Sequence, residues 1–207
     1  MIEQLWPTNV LIEHVEINDE THNALHGAVK PYIDQFNGTP EIFDSSIRIP
    51  NIFADETPVI QGFKEFFRDR LNSLLVAENF IKPEELEVEA VCFARRFYTG
   101  DRARPHTHRS IDYVGVYYLD LDVVDSGEDT SDHDDGRFIM IDPIAQRSRG
   151  LNHSMCHQLT PVPKLLVIHP AYLFHESEQY KGAKDRDLLV INARVLDRQQ
   201  SGAFVKI

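Results

Sequence analysis

Beyond about residue 86 the chain becomes a succession of short β-rich runs: VEAVCFARRFY, DYVGVYYLDLD, RFIMIDP, KLLVIHP and RDLLVINARV. The turns between them are rich in Gly, Pro, Asp and Ser. No amphipathic helix intervenes, and parallel strands need crossover connections that usually contain one. The pattern therefore predicts a mainly β domain, an antiparallel sandwich or barrel. At 207 residues the chain is long enough for one full core and too short for two large ones. The expected organisation is one domain over 1–207, with 1–85 as an N-terminal strand and helical support and 86–200 as the β core.

The support is legible in its apolar spacing. LWPTNVLIEHVEI reads as a strand. Asn18 or Asp19 can cap a helix through Tyr32, with Leu25, Val29 and Ile33 on one buried face and Pro31 weakening its C-terminal end. A second helix is expected from Pro58 to Asn79, where Ile60, Phe63, Phe67, Leu71, Leu74 and Leu75 form a stripe that packs on the sheet.

Several function classes are disfavoured by composition. The formal net charge of −12 argues against duplex nucleic acid as a partner. No apolar run is long enough to span a membrane, and the acidic N-terminus lacks the features of a signal peptide. Cys92 and Cys156 form no CxxC pair, which fits a reducing cytoplasm. The acidic run from Asp120 to Asp135 lacks an EF-hand's bidentate Glu, and Gly136 is out of register, so it reads as a solvated hairpin loop. Against this acidic background Arg95, Arg96, Arg102, Arg104 and Arg109 crowd around His106 and His108. Most surface arginines simply pair with carboxylates; here they also hint at an acidic or phosphate-bearing substrate.

Pro105-His106-Thr107-His108 carries the chemistry. In an extended segment, residues two apart project from the same face, so both imidazoles would converge on one point. His175 ends the apolar run LLVIHPAYLFH, which would deliver it into the core. Three neutral imidazoles on a metal leave open positions for co-substrate and substrate. Arg186 follows eleven residues later and opens the strand RDLLVIN. A guanidinium grips a carboxylate with two parallel hydrogen bonds. Metal and arginine together suit a dicarboxylic keto acid, one end chelating and the other paired.

LWPT, PHTH-(6)-GVYYL, FIMIDP and LLVIHPAYLFH-(10)-RDLLVIN, in this order, resemble the "putative 2OG-Fe(II) oxygenase" family of the prolyl-hydroxylase-like branch. The resemblance implies a double-stranded β-helix, a jelly-roll with the metal inside its mouth. It implies an Fe(II)- and 2-oxoglutarate-dependent dioxygenase that uses O2, hydroxylates an unidentified substrate and releases succinate and CO2. His106 and His175 match iron-binding histidines, and Arg186 and Tyr118 match the residues that hold the distal carboxylate of 2-oxoglutarate. Tyr98 resembles a tyrosine lining the co-substrate pocket, and Asn192 and Arg104 are assigned to substrate.

His108 stands where most of the superfamily has Asp or Glu. Asp112 and Asp142 are the nearby carboxylates that could substitute as ligand, and a three-histidine site could also accept zinc. His169 reads as a core histidine, and His153 and His157 around Cys156 lack a completing cluster. Tyr117 and Tyr118 alternate sides, so one of the two faces the pocket. The rival reading is a jelly-roll metal-binding or sensing protein without turnover. A homodimer is the default quaternary state.

Overall fold

In the computed structural model, the described residues are 2–5, 8–35, 50–78, 86–123, 136–141 and 156–197. Two antiparallel sheets face each other. The chain enters through β1 (Ile2–Leu5) and β2 (Thr8–His14), which pair antiparallel with Leu5 opposite Thr8. The single strand expected from Leu5 onward is thus two strands, the second starting at Thr8; Trp6 and Pro7 lie outside the described residues.

Helix α1 (Asp19–Gln35) begins where expected, with Asn18 Oδ1 accepting from Thr21 N–H at 2.8 Å. It runs on past Tyr32 despite Pro31, because Leu25, Val29 and Ile33 stay buried to its end. A proline's lost hydrogen bond is tolerated when a packed face holds the next turn. Helix α2 (Pro58–Ala77) starts on its proline and buries all six residues of the expected stripe; Asn79 falls outside the described residues.

The remaining strands are β3 (Leu86–Phe97), β4 (Ala103–His106), β5 (Tyr113–Asp120), β6 (Phe138–Ile141), β7 (Cys156–Leu159), β8 (Leu165–Pro170), β9 (His175–Ser177) and β10 (Arg186–Asp197). The large sheet has the order β1-β2-β8-β5-β10-β3 and the small one β4-β9-β6-β7. Every pairing among these strands is antiparallel. This is the mainly β sandwich expected from the turn-punctuated runs.

Alternation along the large sheet sorts its side chains into two cores. Tyr117, Leu119, Leu166, Ile168, Leu189 and Ile191 pack beneath the helices with Phe63, Phe67 and Leu71. Val114, Val116, Tyr118, Val167 and Leu188 face the small sheet's Phe138 and Met140. Gly115 faces the helices, where a Cβ would overlap the Phe67 ring, so its bare backbone lets α2 lie close against β5. The twelve-residue β3–β10 ladder then fixes which residues look into the space between the sheets. Among the described residues no helix is long and apolar enough to cross a membrane.

Candidate metal centre

His106 closes β4 and is the register partner of His175, which opens β9. Their ring centroids lie 4.3 Å apart. His108 follows the strand end; its backbone N–H donates to the Ala171 carbonyl at 3.0 Å. Its ring centroid is 5.1 Å from that of His106 and 5.2 Å from that of His175. One ligating nitrogen from each of the three lies within 4.8 Å of the others. The convergence read from HxH is present, although strand alternation is not its cause: β4 stops at His106.

The three rings share one polarity. His106 Nδ1 meets the Arg104 carbonyl at 2.7 Å and His175 Nδ1 meets the Leu173 carbonyl at 2.9 Å. His108 Nδ1 lies 2.9 Å from Asn192 Oδ1. Each oxygen can only accept, so each Nδ1 carries the proton and each Nε2 presents a lone pair, as metal ligation requires. Burial, reinforced by His106, pushes the His108 pKa down to about 4. Burial, reinforced by His169, pushes that of His175 down to about 2. Both rings are therefore neutral near pH 7.

Asn192 thus takes the place that an orienting group occupies behind a ligand, eighty-four residues away from the ring it holds. Replacing it with leucine leaves the His108 ring free to turn and removes its tautomer preference. We expect Asn192→Leu to weaken metal binding about 10- to 100-fold, with Asn192→Asp recovering most of it. Competition against a chromophoric chelator measures this; unchanged affinity in the leucine variant would remove Asn192 from the supporting shell.

At the other end of the same cleft lies Arg186. Its side chain is the largest that is fully buried, with 1% exposure. Nη1 donates to the Gly136 carbonyl at 2.7 Å, while Nε and Nη2 have no partner among the described residues. The guanidinium carbon lies 5.0 Å from the Phe97 ring centroid and 4.5 Å from that of Tyr180. Among the described residues Arg186 makes no ion pair. Leaving charged donors buried and unpaired costs free energy that a bound carboxylate would offset. Nε and Nη2 form one edge of the guanidinium, the edge that grips both oxygens of a carboxylate. Tyr118 lines the cleft, its phenol pushed up to about 12 by burial against the opposing pull of Arg186, so it remains a hydroxyl donor.

The other expected residues are less central. Tyr98 is 40% exposed just beyond β3 and is not among the residues lining the cleft. The Arg104 side chain is exposed, and what Arg104 brings to the centre is its carbonyl. Asp112 does not join the histidine cluster; its carboxylate accepts from Val195 N–H at 2.8 Å. Asp142, His153 and most of the acidic run lie outside the described residues. His169 is fully buried, its ring 4.5 Å from that of His175, with Nδ1 donating to the Pro170 carbonyl at 2.9 Å and Nε2 unpartnered. Of Tyr117 and Tyr118, only Tyr118 faces the cleft. Sequence reasoning missed Arg95 as a cleft residue, although the alternation Phe93, Arg95, Phe97 on β3 was there to find it.

Residues 92–192, the stretch holding the three histidines, Tyr118 and Arg186, match the family described as "Putative 2OG-Fe(II) oxygenase". The chain is similar in fold to a Pseudomonas putida prolyl-4-hydroxylase, with 17% identity, a TM-score of 0.55, and coverage of 92% of this chain and 90% of that one. It is likewise similar to HygX from Streptomyces hygroscopicus, solved with nickel and 2-oxoglutarate bound: 14% identity, a TM-score of 0.56, and coverage of 90% and 83%. No curated protein matches the chain by sequence. The sandwich is accordingly a double-stranded β-helix. Residues 92–192, the whole functional stretch, thus match the 2OG-Fe(II) oxygenase family, and the chain has the fold of the similar solved structures.

Proposed function

We propose that His106, His108 and His175 hold Fe(II) through Nε2, and that Arg186 and Tyr118 hold the distal carboxylate of 2-oxoglutarate. The observation that carries this reading is the unsatisfied Nε–Nη2 edge of the buried Arg186, in the cleft that the three inward-facing imidazoles border. Neutral imidazoles suit iron, and a dianionic keto acid suits a cationic cleft.

When bound, the iron supplies the oxidation: O2 and 2-oxoglutarate yield succinate and CO2, one oxygen atom going to succinate and the other to the hydroxylated substrate. The chain's own work is placement. Arg186 and Tyr118 fix one end of the co-substrate, so its keto-acid end faces the histidines. Phe93, Phe97, Val116, Leu188 and Val190 keep water from the cleft walls. Asn192 and the Leu173 and Arg104 carbonyls keep the imidazoles aimed. No side chain is asked to move a proton.

The 1–85 segment serves as support for the 86–200 oxygenase core, one domain in all, as the shared core beneath the helices suggests. The free thiol of buried Cys92 suits a reducing, cytoplasmic setting.

Anaerobic addition of Fe(II) and then 2-oxoglutarate should produce a weak visible charge-transfer band, and air should then yield succinate. His175→Ala should abolish both. If the native protein gives neither, or makes no more succinate than His175→Ala, the assignment of these residues is wrong.

A further inference from the structure

We propose that Tyr180 is a positioning residue for 2-oxoglutarate: its ring holds the Arg186 guanidinium in the pose that leaves the Nε–Nη2 edge free for a carboxylate. This deepens the reading above, in which Arg186 grips the distal carboxylate, and rests on it.

An arginine side chain turns about several bonds, and it grips a carboxylate two-pronged only when its fork faces the ligand. Arg186 is held at three points, none of them on the gripping edge. Phe97, its register partner on β3, packs on the guanidinium at 5.0 Å. Tyr180, from the connection between β9 and β10, packs on it at 4.5 Å. Nη1 donates to the Gly136 carbonyl at 2.7 Å, and Nε and Nη2 are left without a partner among the described residues. A cation is attracted to the negative face of an aromatic ring, most strongly where water is excluded. Tyr180 and Arg186 are both fully buried.

Tyr180 is itself pinned at both ends. Its backbone N–H donates to the Asp101 carbonyl at 2.9 Å, and its carbonyl accepts from the Gly100 N–H at 2.7 Å. Its phenol donates to the Lys184 carbonyl at 2.6 Å and accepts from the Asp122 N–H at 3.0 Å. Burial pushes the phenol's pKa up, so it keeps the proton it donates. Two glycines make room for the pair. A Cβ on Gly182 would overlap the Tyr180 phenol, and one on Gly136 would stand 3.1 Å from the ring and 3.4 Å from Arg186 Nη1. Filling space does not require that pinning; aiming a guanidinium does. Arg186 is thus ordered when the chain folds, and 2-oxoglutarate meets a fork already set.

The test uses the full chain loaded with Ni(II), which is redox-silent. 2-Oxoglutarate and 2-oxobutyrate are titrated by calorimetry; the second has the same keto-acid end and no distal carboxylate. We expect Tyr180→Leu to weaken 2-oxoglutarate about 10- to 30-fold, and Tyr180→Phe, which keeps the ring, about threefold or less. Both variants should bind Ni(II) and 2-oxobutyrate within about threefold of the parent. Damage to the fold would weaken both keto acids together, whereas loss of aim weakens only the one with a distal carboxylate. Tyr180→Met takes the place of the leucine variant if that one does not fold.

The proposal is overturned if Tyr180→Leu binds 2-oxoglutarate within about threefold of the parent, or if it loses 2-oxobutyrate in equal measure. It is also overturned if Tyr180→Phe falls as far as Tyr180→Leu, or if neither the leucine nor the methionine variant folds, Tyr180 then serving the fold. Failure of the underlying reading looks different: the parent protein would take up no 2-oxoglutarate, or Arg186→Met would bind it as well as the parent does.

Discussion

Replacing Arg186 with methionine is expected to weaken 2-oxoglutarate binding by about 3–5 kcal/mol, roughly 150- to 5,000-fold, while leaving the metal-free protein at least nearly as stable. The two effects have one origin. The guanidinium is buried with Nε and Nη2 unsatisfied among the described residues, and Nη1 donates to the Gly136 carbonyl. Methionine fills similar space against Phe97 and Tyr180 without stranding a charge. In the loaded protein the same substitution leaves a carboxylate buried without its partner. Arg186→Lys keeps the charge but not the two-pronged edge, and should recover only part of the loss. Anaerobic calorimetry with Ni(II)-loaded protein measures the affinity, and urea midpoints measure the stability. A 2-oxoglutarate affinity within tenfold of the parent in Arg186→Met would show that the carboxylate is held elsewhere.

The second large effect is on acid stability. Burial first, then neighbouring imidazoles, drives His175 to about 2. His108 and His169 are pushed to about 4, chiefly by burial. In the unfolded chain all three titrate near the ordinary value of about 6.5. As pH falls below that value the unfolded state takes up protons that the folded state refuses, so stability falls with pH. Between pH 6.5 and 5.5 each ring costs about 1 kcal/mol, or about 3 kcal/mol for the three in the metal-free protein. His169→Phe removes one titrating group without replacing a proposed ligand, and should cut the loss by about 1 kcal/mol. Urea midpoints at the two pH values in both proteins decide it; identical losses would contradict the burial argument.

The limits of sequence reading fall along a physical line. Periodicity reports which face a side chain takes, and it was sufficient for the apolar stripe of α2, for the separation of Tyr117 from Tyr118, and for the class of the sandwich. It could equally have revealed Arg95 between Phe93 and Phe97. It does not report where a strand ends. His108 was expected to join His106 by alternation, whereas it lies beyond β4 and is held by Ala171 and Asn192, partners distant in sequence. Tyr98 meets the same limit: it stands one residue past the end of β3 and is 40% exposed. The helix through Pro31 outlasts its expected stop because the decisive term, burial of Ile33, is tertiary.

His106 and His175 sit on the small sheet, whose strands are only three or four residues long. His108, by contrast, is tethered through Asn192 to the longest ladder of the large sheet. A metal ion joined to all three is a rivet between two leaves of unequal strength. Removing it unpins the weaker leaf, so metal-free molecules should breathe first at β4 and β9. Iron supply would then govern how long the molecule survives proteases, as well as whether it turns over.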